Sequence, residues 1–141
     1  MTYFEDLTPY RYLPNQPAML NVGWLSRGHE FPKGPIPDEV VAALYVLADE
    51  QENNILRGVH DCEFCTRESP MRLPAPVARG FVDLGMGELH AFVPGSETYS
   101  APSLIVHYIT EHGYQPPVAF MEAVLLTARA DGVSAASRSG D

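Results

Sequence analysis

Lysine is almost missing from this chain. Lys33 is the only one, so arginine supplies the rest of the nine cationic side chains. Against them stand eighteen Asp and Glu, leaving a net charge of −9. Non-specific nucleic-acid binding rests on cationic neutralisation of phosphates, so that class is excluded as an expectation. Anionic membrane surfaces are disfavoured for the same reason. No apolar run approaches the roughly 20 residues of a membrane span. The opening Met1-Thr2-Tyr3-Phe4-Glu5-Asp6 has neither a basic nor an apolar leader region, so no signal peptide is expected and the default location is the cytoplasm.

Several catalytic templates are also missing. There is no His-Glu-x-x-His helix and no glycine-rich phosphate loop. There is no Gly-x-Ser-x-Gly nucleophile elbow. The zinc deaminase pattern needs His-x-Glu upstream and proline before the first cysteine. Here Asp61 precedes Cys62, and Gly28-His29-Glu30 puts the acid one residue too close. With only two cysteines, a secreted disulfide scaffold is excluded, and so is an all-cysteine tetrahedral site within one chain.

What is present is an ordinary globular composition, 45% hydrophobic over 141 residues, which suits one domain with a real core. Both cysteines fall in Arg57-Gly58-Val59-His60-Asp61-Cys62-Glu63-Phe64-Cys65. A Cys-x-x-Cys lets two sulfurs reach one ion from a single turn, and Zn²⁺ favours thiolate and imidazole in a tetrahedron. The rival readings are redox chemistry and two plain thiols. A redox pair needs cations or a helix start to stabilise the thiolate, whereas Asp61 and Glu63 flank Cys62.

Two further ligands must come from elsewhere. His60 is two residues ahead of Cys62. On the helix expected from Pro102, Leu104, Tyr108, His112, Ile105 and Ile109 fall at about 0°, 40°, 80°, 100° and 140°. His112 thus lies inside the apolar arc, and His107, at about 300°, on its rim. The expected metal set is Cys62 and Cys65 with two of His60, His107 and His112. The histidine pair lies too far along the chain for a zinc finger, but the fold can close such a site. His29 sits in a Gly/Pro loop. His90 and Glu88 share one face of an expected strand and read as surface groups, with Glu88 the candidate general base if a metal stood beside it.

The elements read as follows. Residues 1–17 form an irregular segment pinned by aromatics. Ala18 to Leu25 reads as a strand. A helix runs from Pro37 to about Gln51, with Asp38 and Glu39 in its first turn and Val40, Val41, Leu44, Leu47 and Ala48 on one face. Ile55 to Val59 is a strand, and 66–79 a loop. Phe81–Leu84 and Glu88–Val93 are strands joined as a hairpin by Gly85-Met86-Gly87. Ser96–Ala101 is an exposed bend. A second helix ends at Gly113, and a third starts at Pro116-Pro117. The sum is an α+β fold: two or three helices on a short, mainly antiparallel sheet, with the cysteine turn at one edge. Residues 1–129 form one domain, and 130–141 a disordered tail.

The blocks Phe4-Glu5-Asp6-Leu7, Leu20-Asn21-Val22-Gly23-Trp24-Leu25, Arg57 to Cys65, Ala101 to Tyr108 and Glu111 to Pro117 resemble a family of small bacterial proteins of unknown function. The resemblance implies a single bacterial domain and assigns no catalytic role. Three functions remain open: a cytoplasmic zinc-binding accessory or interaction protein with a structural metal, a small zinc enzyme with an open water position, and a metal-free immunity or regulatory protein with an acidic surface. A protein partner fits this charge, and no oligomeric state is indicated.

Overall fold

A computed structural model describes residues 3–9, 19–51, 61–65, 68–93 and 97–138, the last of these without side chains beyond Arg129. The elements are β1 (Leu20–Asn21), α1 (Asp38–Glu50), β2 (Met71–Pro74), β3 (Phe81–Leu84), β4 (Glu88–Phe92), β5 (Thr98–Pro102), α2 (Ile105–His112) and α3 (Val118–Arg138). They form a three-stranded sheet in the order β1-β5-β4 and a two-stranded sheet of β2 and β3. Among the described strands, only the β1–β5 pairing is parallel. The expected α+β class is what the chain adopts, with two short, mostly antiparallel sheets in place of the single one expected.

α1 follows from its sequence. Pro37 stands at the N-cap, Asp38 and Glu39 meet the positive helix end, and Val40, Ala43, Leu44, Leu47 and Ala48 are buried. Each large apolar side chain buried there contributes about 1.5–3 kcal/mol. α2 ends where expected, because Gly113 adopts the left-handed conformation at φ 72° and donates its N–H to Tyr108 O. Gly23 is needed for a different reason: at φ 77°, a Cβ there would sit 2.8 Å from Ile105 Cδ1.

Four expectations are corrected. The strand expected over Ala18–Leu25 is only the two residues of β1. The loop expected over 66–79 contains β2, which pairs with β3. Gly85-Met86-Gly87 therefore does not close a hairpin, because β4 turns to a different partner, β5. The exposed bend over 96–101 is in fact largely β5, the central strand of its sheet. Its small and polar residues hide it from a search for apolar runs. Ser100 and Ala101 are fully buried, and the Ser100 carbonyl accepts from Val22 N at 3.0 Å and Trp24 Nε1 at 3.1 Å. The strand expected over Ile55–Val59 lies outside the described residues.

The N-terminal segment, over residues 3–9, is held as expected by aromatics, with Phe4 edge-on to Trp24 and Tyr3 stacked on His29. It is also tied by a contact with no local signature. Tyr114 Oη donates to Asp6 Oδ2 at 2.8 Å, while Gly23 N donates to Asp6 Oδ1 at 3.0 Å. Beyond Tyr114, Gln115 N donates to Pro32 O at 2.9 Å and Gly34 N to Gly113 O at 3.2 Å. The loop before α1 is thus stitched to the end of α2. No helix among the described residues is long and apolar enough to cross a membrane.

α3 continues to Arg138, past the residue 129 boundary expected from composition. The core contacts described for it end at Ala128. Truncation after Arg129 is expected to leave the melting temperature within about 2 °C of the full chain, since every core contact described for α3 lies before that point and helix ends contribute less than the packed core. A larger drop in calorimetry would show the last residues to be docked.

Candidate metal centre

Cys62, Cys65, His107 and His112 converge. Their four donor atoms lie within 4.8 Å of one another, a grouping that can hold a metal ion. Cys62 Sγ is 3.4 Å from His112 Nε2, Cys65 Sγ is 3.4 Å from His107 Nε2, and the two Nε2 atoms are 3.2 Å apart. A tetrahedron with bonds of zinc length requires about 3.5 Å between sulfur and nitrogen and about 3.3 Å between nitrogens. Three of the six donor–donor edges match these within about 0.2 Å, and the other three lie within 4.8 Å.

Two elements supply the donors. The cysteine turn, residues 61–65, folds so that Phe64 N donates to Cys62 Sγ at 3.4 Å. Such donors orient a sulfur ligand and tune its charge. The flanking acids, which in sequence sit awkwardly beside a thiolate, are engaged elsewhere. Asp61 Oδ1 accepts from Ser69 N at 2.7 Å. Glu63 Oε1 accepts from Ser26 Oγ at 3.0 Å and Arg27 N at 3.1 Å. The Arg27 guanidinium closes the latch with two bonds to Glu63 O, at 3.0 and 2.7 Å. Phe64 packs the turn onto α2, its ring 5.8 Å from Tyr108 and 5.6 Å from His112, with Phe31 at 5.3 Å.

α2 supplies the histidines. Five positions apart, they would diverge by about 140° on a regular helix. They meet because His112 is the last helical residue, next to the left-handed Gly113, and because long imidazoles can converge on a point between them. A spacing of three to five residues between histidines is common at zinc sites.

Burial is the reverse of the helical-wheel expectation. His107 is 1% exposed and Cys62 is buried, whereas Cys65 and His112 are only partly so. The wheel fails because α2 is enclosed on nearly all sides: Ile105, Val106, His107, Tyr108 and Ile109 are all buried. Over these five residues the helix has no rim, although Thr110 and Glu111 beyond them are exposed. Burial also pushes the Cys62 thiol up, with the Phe64 N–H acting the other way. That is not the cationic setting of a reactive redox thiolate, whereas a coordinating dication deprotonates a thiol outright.

The other expected groups lie elsewhere or beyond description. His60 is outside the described residues. His29, stacked on Tyr3 at 3.7 Å, is not in the cluster. Glu88 is not a solvated surface carboxylate but 5% exposed. His90 Nε2 lies 2.7 Å from Glu88 Oε1, and Ser100 Oγ donates to Oε2 at 3.4 Å. Ser100 belongs to β5, the neighbouring strand whose character the sequence conceals and which pairs Pro102 with Glu88. The pair lines the region of β4 and α1, where Gln51 bridges the His90 backbone N and O at 2.7 and 2.9 Å. Neither Glu88 nor His90 belongs to the donor cluster.

Fold and site together define a small α+β domain with a candidate two-cysteine, two-histidine centre. The model of the family described as "Domain of unknown function (DUF7919)" matches residues 2–125, and the chain belongs to that family. All four donors lie inside the matched span. Comparison with the curated proteins and with the solved structures gives no match.

Proposed function

We propose that this protein is a zinc-binding accessory or interaction domain in which Cys62, Cys65, His107 and His112 hold one structural Zn²⁺. The observation that supports this reading is the mutual spacing of the donors, 3.2 to 3.4 Å where hydrogen-bond-range pairs occur. Two sulfurs and two imidazoles in a tetrahedron are a zinc set. Four protein donors fill a tetrahedron and leave no position for a catalytic water, which favours a structural over a catalytic ion. Zinc would supply a cross-link between the cysteine turn and the end of α2. The surface it stabilises, at a net charge of −9, suits a protein partner better than a nucleic acid.

Elemental analysis and X-ray absorption test this. About one zinc per chain is expected, with two sulfurs near 2.3 Å and two nitrogens near 2.0 Å. Three protein ligands with a light oxygen neighbour would instead support a catalytic ion. A chain purified from zinc-replete cells without metal would sink the proposal.

A further inference from the structure

The outer face of α3 carries exposed apolar residues, with Leu125 and Leu126 flanked by Glu122 on one side and Arg129 on the other. Val118 is 65% exposed and Leu126 45% exposed. Glu122, Leu125, Leu126 and Arg129 line a shallow apolar depression there. Stepping about 100° per residue, these five positions fall within an arc of about 100°, on the side away from buried Phe120, Ala123 and Val124. Among the described residues, neither Glu122 nor Arg129 has an ion-pair partner.

The order of these residues is self-complementary. A two-fold axis passing between Leu125 and Leu126, with a second α3 antiparallel to the first, sets Glu122 against Arg129 of the second copy. It sets Arg129 against that copy's Glu122, and Leu125 against its Leu126. Two-fold interfaces require this reciprocity, in which residue i meets j and j meets i. The parallel arrangement would instead place like charges opposite one another. We propose that α3 is a homodimerisation surface, occupied by the α3 of a second copy in antiparallel orientation. The charges fix direction and register, and Leu126, at the centre, supplies the apolar contact. The patch spans two helical turns, about 10 Å, so the association is weak, in the class of small, transient interfaces. This proposal is independent of the metal.

Sedimentation velocity on the full, metal-replete chain from about 10 µM to about 1 mM, the range of weak interfaces, tests it. A reversible monomer–dimer equilibrium is expected. Leu126→Lys should abolish it. Glu122→Arg and Arg129→Glu should each weaken it by about threefold or more, since each swap turns two opposite-charge pairs into like-charge pairs. The double variant carrying both swaps should recover most of the parent affinity. All three substituted positions are exposed, so unchanged circular dichroism and melting temperature serve as the folding control. A chain that stays monomeric to 1 mM overturns the proposal. So does a dimer that Leu126→Lys leaves intact, or a double swap no better than the single variants.

Discussion

His107→Ala is expected to abolish zinc binding and to lower the melting temperature more than any other single ligand change. The proposed ion closes a long loop: Cys65 and His107 are 42 positions apart. A cross-link over such a loop constrains the unfolded chain by about 4 kcal/mol. For a chain of this size that corresponds to roughly 10–15 °C. His107→Ala adds a second loss, because the side chain is 1% exposed and its removal leaves a buried cavity. His112 is partly exposed, so His112→Ala should fall only to the level of the chelated parent. The expected order in calorimetry is therefore parent, then chelated parent and His112→Ala together, then His107→Ala. Chelator should leave both variants unmoved. A His107→Ala protein that keeps full zinc and still loses stability on chelation would remove His107 from the site.

Tyr114→Phe is expected to destabilise the fold by about 1–3 kcal/mol, the range for breaking a hydrogen bond to a charged group in a buried setting. The phenol is fully buried and reaches Asp6 across 108 positions of sequence. Burial first, and the Asp6 carboxylate second, hold its hydroxyl well above the ordinary tyrosine value. It therefore remains a donor under all ordinary conditions. Its loss should also loosen the segment of residues 3–9, whose Phe4 packs on Trp24. Trp24 is the only tryptophan and is buried, so its fluorescence should shift to the red in the variant before global unfolding. Unchanged emission together with an unchanged melting temperature would show that the Asp6–Tyr114 bond holds nothing in place.

The elements that were legible in the sequence are those whose order is local. α1 shows its apolar period and its acidic first turn. α2 shows its glycine stop, and β3 and β4 show alternation. β2 and β5 were missed for a physical reason. β5 is central and buried, but it is built from Thr98, Tyr99, Ser100, Ala101 and Pro102, small or polar residues that leave no hydrophobic run. Misreading it also misplaced Glu88, which pairs with β5 and accepts from its Ser100. The apparent hairpin at Gly85–Gly87 failed because turn chemistry specifies a reversal of the chain and not the strand that will pair afterwards.

For the candidate site, sequence alone established the donor types. Two cysteines in one turn and a pair of histidines on one helix have few common uses, and the scarcity of lysine and the absence of familiar catalytic motifs narrowed them further. It also placed both histidines among the candidates. Only the tertiary structure decided that these two meet the sulfurs, and that His107 is the deeper. Convergence within 4.8 Å depends on how α2 packs against the cysteine turn through Phe64 and on the Arg27–Glu63 latch that holds that turn to the loop after β1. Those contacts join residues tens of positions apart, and no local period records them. Composition and spacing determine which chemistry a chain can offer. Long-range packing determines which of those groups share a point in space, because burial and distance are properties of the whole fold.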